Sequence, residues 1–231
     1  MKKFKFLSII AIVVFCMGFV SCNEEDEPQG NVIELLGITL SSEVDMGLPS
    51  GTIWANKNIG AVSPEQSGFY YAWGEIYRKD VYDIFTYTID IYNLDCYSMG
   101  SISGTQYDVA RHKWGESWKM PTREDFAELM TECYWQWGKY KGVYGVKITG
   151  PNCRSIFLPA SGSRNSDSLS GYGEFLDYWT ASYKKYKVYG FHAFEWKSYP
   201  QKPLKGEDYL GAYIDFKNEC YGCSVRPVKS K

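Results

Sequence analysis

The first 21 residues constrain the chain most, because their pattern is that of a segment removed before folding. Lys2, Lys3 and Lys5 precede an apolar run over residues 6–20. As a helix these fifteen residues would be about 22 Å long, shorter than the ~30 Å hydrocarbon core of a bilayer. A basic start, a short apolar run and a small residue at the end are typical of a secretory signal. Residues 1–21 are therefore predicted to be a signal peptide, and the fold is built from the residues after it.

The predicted signal ends at residues 19–22 (FVSC), which resemble a bacterial lipobox. In lipoproteins the signal is cut before the cysteine, and the cysteine sulfur carries the lipid. The resemblance therefore implies that Cys22 is the lipid anchor and that a membrane is a partner of the chain. Lasting attachment to a bilayer takes two or more acyl chains, because each buried methylene adds only about 0.8 kcal/mol.

Residues 22–31 are predicted to form an acidic tether behind the anchor. Four acidic residues in a row, 24–27, precede Pro28 and Gly30. Such a run cannot bury apolar surface and repels itself into an extended chain. It is also similar to the export signal that places lipoproteins of gut-type Bacteroidetes on the outer face of the outer membrane. The prediction is a surface-exposed outer-membrane protein, with the periplasmic face as the alternative.

The remaining residues, 32–231, suit one domain of ordinary size. Removing the signal takes three lysines and no acid, so 22 Lys and Arg stand against 27 Asp and Glu, and the net charge falls from −2 to −5. Nucleic-acid binding is not predicted, because it needs a basic surface. Aromatic residues make up 17% of the chain. Tyr and Trp pack in cores and also stack on sugars, so composition alone does not choose between these roles.

Five cysteines follow the anchor, an odd number that leaves at least one thiol unpaired and the pairing open; they are Cys96, Cys133, Cys153, Cys220 and Cys223. Cys220 and Cys223 have the spacing of a redox or zinc motif. In an extended segment, however, residues three apart point to opposite faces, and no second cysteine pair or nearby histidine completes a site. No metal and no cofactor is predicted.

Two short helices are predicted from their capping patterns. Thr105 with Asp108 predicts the start of the first helix, and Thr122 with Asp125 predicts the start of the second. Pro121 stops the chain before the second helix. An apolar stripe at helical spacing follows the second cap and is predicted to face a core.

Most of the remaining chain is predicted to be strand and turn, which makes the fold class α+β. Val143–Thr149 and residues 155–158 predict a hairpin. Four further strands are predicted at 178–182, 188–196, 209–216 and 221–228. Segments 76–104 and 161–177 are predicted to be long loops, which in compact domains are usually functional or mobile.

Six motifs follow one another along the chain: 44–55 (VDMGLPSGTIWA), 68–75 (GFYYAWGE), 114–122 (WGESWKMPT), 156–162 (IFLPASG), 178–182 (YWTAS) and 224–228 (SVRPV). In this order they resemble the Fibrobacter succinogenes major paralogous domain, which is common in lipoproteins of Bacteroidetes. The resemblance covers about residues 44–228. That family is similar in turn to the C-type-lectin-like and formylglycine-generating-enzyme folds.

The resemblance implies a C-type-lectin-like domain with two short helices beside a twisted antiparallel sheet, and with long loops at one end. Residues within the motifs are then expected to be structural; they are Trp54, Trp73, Trp114, Trp118, Pro121, Thr122, Trp179 and Arg226. An arginine in an apolar closing strand needs a buried carboxylate or carbonyl partners. Arg226 is therefore predicted to stabilise the fold rather than to bind a ligand.

The activities of the related folds do not carry over. Formylglycine-generating enzymes use a cysteine pair near the strand that corresponds to 210–216, and this segment has no cysteine. Sugar-binding C-type lectins hold calcium with EPN or QPD together with WND, and none of these motifs occurs. A calcium-dependent lectin site is therefore not assigned.

Catalytic templates are also missing, since the sequence has no nucleophile elbow, Walker loop or zinc-protease motif. His112 is predicted to be solvated on the first helix, and His192 to be packed in a strand. Glu75 and Asp177 are the carboxylates that would form the pair of a glycoside hydrolase. Each adjoins a family motif and has a structural role as the alternative interpretation. The chain is predicted not to be an enzyme.

The candidate ligand-binding residues are aromatic side chains and one acid. Trp135 and Trp137 share a face if their segment is extended, as in a stacking platform, and are core residues if the segment packs on the sheet. Tyr172, Asp177 and Tyr178, at the end of the second long loop, complete the candidate set.

These patterns together predict a lipid-anchored, non-catalytic binding module that recognises a glycan or an envelope protein through loops 76–104 and 161–177. Two alternatives stay open: a carbohydrate-active hydrolase with a carboxylate pair, and a structural component of the envelope.

Overall fold

Antiparallel strands account for most of the regular structure. The computed structural model describes residues 33–92, 99–195 and 210–231, and these form two helices, α1 Val109–Trp114 and α2 Arg123–Glu132. The strands in the described ranges are β1 Glu43–Asp45, β2 Ile53–Ala55, β3 Met99–Ser101, β4 Tyr134–Tyr140, β5 Val143–Thr149, β6 Ser155–Pro159, β7 Ser163–Asn165, β8 Ser168–Ser170, β9 Phe175–Lys184, β10 Lys187–Glu195, β11 Leu210–Lys217 and β12 Val228–Lys229. The predicted signal, the anchor Cys22, the tether, Cys96 and the predicted strand ends at Trp196 and Tyr209 lie outside the described residues.

The three longest strands belong to one sheet, with the strand order β11-β10-β9-β3. A second sheet, β4-β5-β6, contains the predicted hairpin, in which Ile148 lies opposite Ile156. Strands β1, β2 and β12 form a third sheet, and β7 and β8 pair within the segment predicted to be the second long loop. Every pairing between these strands is antiparallel. The predicted α+β class is confirmed, and the described residues belong to one compact unit, Val32–Lys231.

Helix α2 begins at the predicted cap. The Thr122 hydroxyl accepts a hydrogen bond from the backbone N–H of Asp125 (3.2 Å), and the Asp125 carboxylate accepts one from the N–H of Thr122 (2.7 Å). These two bonds satisfy N–H groups that have no partner within the helix.

The predicted cap of helix α1, Thr105, is wrong, because Asp108 caps this helix. The Asp108 carboxylate accepts from four backbone N–H groups, those of Gly104, Ala110, Arg111 and Met120. The Thr105 hydroxyl instead donates to the carbonyl of Ile102 at 2.7 Å. Burial raises the pKa of Asp108 against the opposing effect of these four N–H donors.

The main core lies where α2 packs on strands β9 and β10. Phe126 of α2 stacks on Phe191 of β10, with ring centroids 4.4 Å apart and planes at 5°. Trp54 of β2 packs edge-on against Phe126 at 5.2 Å, and Trp135 of β4 lies 5.8 Å from Phe191. Fully burying a large apolar side chain contributes about 1.5–3 kcal/mol, so this layer is a principal source of stability.

A second core joins segments that are far apart in the sequence. Trp73 Nε1 donates to the carbonyl of Thr180 at 2.9 Å, and Trp179 Nε1 donates to the carbonyl of Tyr71 at 2.6 Å. The two tryptophans are fully buried. The indole N–H of each one donates to a backbone carbonyl close in sequence to the other. The chain before the first long loop is thereby fixed to β9.

The motif residues expected to be structural differ in how far their side chains are buried. Buried are Trp54, Trp73, Pro121, Trp179 and Arg226. Trp114 and Trp118 are half-buried and pack edge to face, with ring centroids 5.3 Å apart. Thr122 is the cap of α2 described above.

Arg226 is buried and is held by oxygens of uncharged groups. Its Nε donates to Asn58 Oδ1 (2.8 Å), and its terminal nitrogens donate to the carbonyls of Ala55 (3.1 Å) and Phe157 (2.8 Å). No carboxylate within the described ranges pairs with Arg226. Burial lowers the pKa of Arg226 to about 10. One side chain therefore connects three segments of the chain.

The strand predicted over residues 221–228 is wrong. Gly222, Cys223 and Ser224 make single bridges to three different segments, at Arg164, Tyr71 and Tyr178 respectively. Regular pairing begins only at β12, which starts at Val228. The apolar pattern correctly indicates burial, but it carries no information on how many partners a buried segment has.

Candidate functional site

A cavity of about 850 Å³ opens between segment 74–89 and helix α1. Among the residues that line it are Glu75, Tyr77, Arg78, Lys79, Tyr107 and His112. Small-molecule sites have volumes of roughly 300–1,000 Å³, so this space can hold a ligand of several rings.

A second cavity of about 390 Å³ adjoins the first, because Tyr77 and Arg78 line both. Phe69, Lys113 and Trp114 also line the second cavity. The two cavities together are called the Tyr77 groove below.

The floor of the Tyr77 groove is fixed by the buried side chain of Glu75. Its carboxylate pairs with Lys79 Nζ at 2.9 Å. It also accepts from the backbone N–H of Thr88 at 2.9 Å and from the Thr88 hydroxyl at 3.0 Å. Glu75 thus folds segment 74–89 back on itself. Tyr87 makes a further hydrogen bond, in which its hydroxyl donates to the carbonyl of Trp73 at 2.8 Å.

The rim of the groove carries rings and cations. The Tyr77 side chain is 68% exposed, although it is a large aromatic ring. Lys113 Nζ lies 5.1 Å from the centroid of this ring, and the His112 ring lies 5.8 Å away. Arg78 lies over Phe69, with 4.3 Å from its Cζ to the ring centroid. A ring exposed beside hydrogen-bond donors can stack on a sugar while the donors bind its hydroxyl or acidic groups.

The stacking platform considered for Trp135 and Trp137 is not formed. Both side chains point into the core from β4, with exposed fractions of 0% and 7%. Trp135 Nε1 donates to the carbonyl of Leu129 at 2.8 Å. Strand β4 pairs along its whole length with β5, and that register turns the face carrying both rings inward. The alternative interpretation, that they are core residues, is correct.

Tyr178 is also a core residue rather than a ligand-binding one, because it is fully buried. Its hydroxyl accepts from Asn58 Nδ2 at 3.0 Å, within the network around Arg226. Tyr172 is different, since it is 56% exposed. It follows the β7–β8 hairpin and does not line the Tyr77 groove.

Asp177 is buried and belongs to an ionic cluster that joins β9, β10 and β11. Its carboxylate lies 2.8 Å from His192 Nδ1 and 2.7 Å from Lys217 Nζ. Burial opposes ionisation, but the hydrogen bonds and charges of His192 and Lys217 outweigh it and lower the pKa of Asp177. His192 is therefore not simply packed, as predicted, but oriented by a carboxylate. Within the part of the chain described, no Ser, Thr or Cys side chain is hydrogen-bonded to His192.

Glu75 and Asp177, the two carboxylates considered for hydrolysis, have separate surroundings. Glu75 is bound by Lys79 and Thr88, whereas Asp177 is bound by His192 and Lys217. Among the described residues they share no hydrogen-bond partner, and each pairs with a different lysine. Both carboxylates therefore make the contacts that the structural interpretation requires.

Among the described residues, Cys153, Cys220 and Cys223 form no disulfide, and Cys133 is fully buried. Burial raises the pKa of Cys223 well above its ordinary value and raises that of Cys220 as well. Buried thiols with raised pKa values are poor nucleophiles and poor metal ligands. In the three described ranges, no group of three or more His, Cys, Asp or Glu side chains is placed to hold a metal ion.

Comparison of the chain with protein-family models, with curated proteins and with solved structures finds no match. No helix within the described ranges is long and apolar enough to cross a membrane. Any functional conclusion therefore depends on the sequence patterns and on the features of the site itself.

The sequence predicts binding through loops 76–104 and 161–177, and it draws attention to Glu75 and His112, but it does not indicate the other polar and aromatic residues of the groove. Tyr77, Arg78 and Lys113 were not singled out, because none of them belongs to a recognisable motif. A usable signal was segment 75–79 (EIYRK), in which Tyr77, Arg78 and Lys79 follow closely after the end of motif 68–75.

Proposed function

We propose that this chain is a lipid-anchored binding module of the outer membrane, exposed at the cell surface, that binds a glycan in the Tyr77 groove without catalysis. The anchor in this proposal is Cys22, followed by the acidic tether 22–31. The resemblance to the Fibrobacter succinogenes major paralogous domain supports the placement, because that family is common in lipoproteins. A membrane and a glycan are thus the proposed partners.

The proposed fold is C-type-lectin-like. Two helices in succession, α1 and α2, precede the hairpins of a largely antiparallel structure, in the order that the family resemblance implies. Segment 74–89 then corresponds to one of the long loops that such folds use for binding.

The exposure of Tyr77 at the mouth of an 850 Å³ cavity carries the proposal. An aromatic ring that is 68% exposed gains little from folding. Beside it lie polar groups with fixed positions, because Glu75, Lys79 and Thr88 hold one another. Polar groups held in fixed positions beside an exposed ring suit a saccharide, which has both hydroxyl edges and apolar C–H faces.

The test is a glycan screen with the purified full chain in detergent, followed by titration of the best ligand. Tyr77→Ala is expected to weaken that ligand at least about tenfold, as for loss of a stacking platform. Tyr134→Ala is the matched control, because Tyr134 is 46% exposed and lies outside the groove. Equal affinity of Tyr77→Ala and the parent chain would reject the groove as the site.

An envelope protein is the other proposed kind of partner, and a purely structural role in the envelope is a further candidate. A stable partner that co-purifies with both the parent chain and Tyr77→Ala, together with a screen that finds no glycan, would replace the glycan proposal by one of these.

A further inference from the structure

We infer that the Tyr77 groove selects an acidic glycan, one that carries carboxylate or sulfate groups, over a neutral one. This inference rests on the proposed function, since it names the class of glycan that the same groove takes.

The charges that line the groove are unbalanced. Among the lining residues that the structure describes, three are cations, Arg78, Lys79 and Lys113, and one is a carboxylate, Glu75. Lys79 and Glu75 neutralise each other through their ion pair at 2.9 Å. Arg78 and Lys113 therefore leave the groove with a net positive charge.

Arg78 and Lys113 are held by rings and not by acids. Arg78 Cζ lies 4.3 Å from the Phe69 centroid, and Lys113 Nζ lies 5.1 Å from the Tyr77 centroid. Within the described ranges neither side chain pairs with a carboxylate. A guanidinium stacked on a ring keeps its in-plane N–H groups available, in a fork that matches a carboxylate or a sulfate.

The rest of the molecule makes this local charge more significant. The chain has a net charge of −2. Without residues 1–21, which contain three lysines and no acid, the net charge is −5. A positive groove in an acidic protein attracts an anion at one place, because a concave site with low-dielectric walls focuses the field.

Ring and charge together distinguish an acidic sugar from other anions. Tyr77 offers a face for a pyranose ring, and Arg78 lies next to it in the sequence and lines the same two cavities. An acidic peptide would satisfy the cations but would leave the ring without a sugar face to stack on.

The experiment measures binding of the full chain in detergent to four probes: polygalacturonate, chondroitin sulfate, a neutral glucan of similar length and poly-glutamate. The expected result is that at least one acidic glycan binds about tenfold or more tightly than the glucan and poly-glutamate. Raising the salt from about 20 mM to about 300 mM should weaken this binding, because the contacts are screened. The carboxylate and sulfate probes separate the two possible sources of the anionic group.

Two double variants with the same change in net charge complete the test. Arg78→Ala with Lys113→Ala should remove the preference, so that the acidic glycan binds no more tightly than the glucan. Arg154→Ala with Lys184→Ala is the matched control, because both residues are exposed and lie outside the groove. This control should bind the acidic glycan like the parent chain.

Other outcomes overturn the inference in distinguishable ways. If the glucan bound as tightly as the acidic glycans, and Tyr77→Ala lost this binding, the proposed function would stand and the acidic class would be rejected. Equal weakening in both double variants, or poly-glutamate bound as tightly as the glycans, would show a response to charge alone. No binding of any glycan would reject the inference and the proposed function together.

Discussion

Replacing Arg226 by methionine tests whether this buried arginine holds the fold together. The side chain connects the end of β2 through Ala55, the following turn through Asn58, and β6 through Phe157. Methionine has a similar length and needs no hydrogen bonds, so the change removes the three donated bonds and little volume. The three acceptor oxygens then stay buried without a partner.

The expected loss is the difference between two opposing effects. Hydrogen bonds to a charged group contribute about 1.5–3 kcal/mol each, so the three bonds of Arg226 amount to roughly 5–9 kcal/mol. Burying the guanidinium works against this, since its pKa falls to about 10. Relative to an ordinary value near 12.5, that fall corresponds to roughly 3 kcal/mol. The free energy of unfolding of Arg226→Met should therefore be lower by about 4 kcal/mol.

Urea unfolding of the purified protein, followed by tryptophan fluorescence, measures this loss. Arg154→Met is the matched control, because Arg154 is exposed, and it should change the free energy of unfolding by less than about 0.5 kcal/mol. If Arg226→Met lost no more stability than Arg154→Met, the buried network would not stabilise the fold, and the structural role given to Arg226 would be refuted.

Three further predictions concern the helix cap, the ionic cluster and the anchor. Asp108→Ala leaves four backbone N–H groups without their acceptor and should lower the free energy of unfolding by about 3 kcal/mol in urea titrations; a loss under about 1 kcal/mol would contradict the cap. The pKa of Asp177 is lowered in the fold, so its ionisation stabilises the protein above the unfolded pKa near 3.9, and this contribution disappears as pH falls through the folded pKa. Urea titrations at pH 6 and at pH 3 and below should thus show that the deficit of Asp177→Asn shrinks on acidification, and a deficit independent of pH would refute the ion pairs with His192 and Lys217. Cys22→Ala should abolish incorporation of labelled palmitate and move the protein from the membrane to the soluble fraction, whereas unchanged fractionation would contradict the anchor.

The sequence predicts best where one local pattern decides the structure. Thr122 and Asp125 satisfy each other's backbone within four residues, so the start of α2 follows from local chemistry alone. The hairpin β5–β6 is similar, because its turn and both of its strands are contiguous. At α1 two acceptors compete within one turn, and the outcome depends on Met120, whose N–H also binds Asp108 from beyond the helix. That long-range contact leaves no mark in the local pattern.

Side-chain direction was the main thing the sequence left open. Trp135 and Trp137 alternate with polar residues whether they face inward or outward, and only the pairing of β4 with β5 decides between the two. The sequence does not predict the Tyr77 groove, for a related reason. Its floor depends on Glu75 binding Thr88, thirteen residues further along, and a loop's shape follows from such contacts and not from its composition.

A crystal structure of the protein bound to the tightest glycan of the screen tests the central claim most directly. The proposed function predicts a sugar ring stacked on the face of Tyr77, with an acidic group of the same glycan within hydrogen-bonding distance of Arg78. A glycan bound at Tyr172 beside the β7–β8 hairpin, with the groove unoccupied, would contradict it.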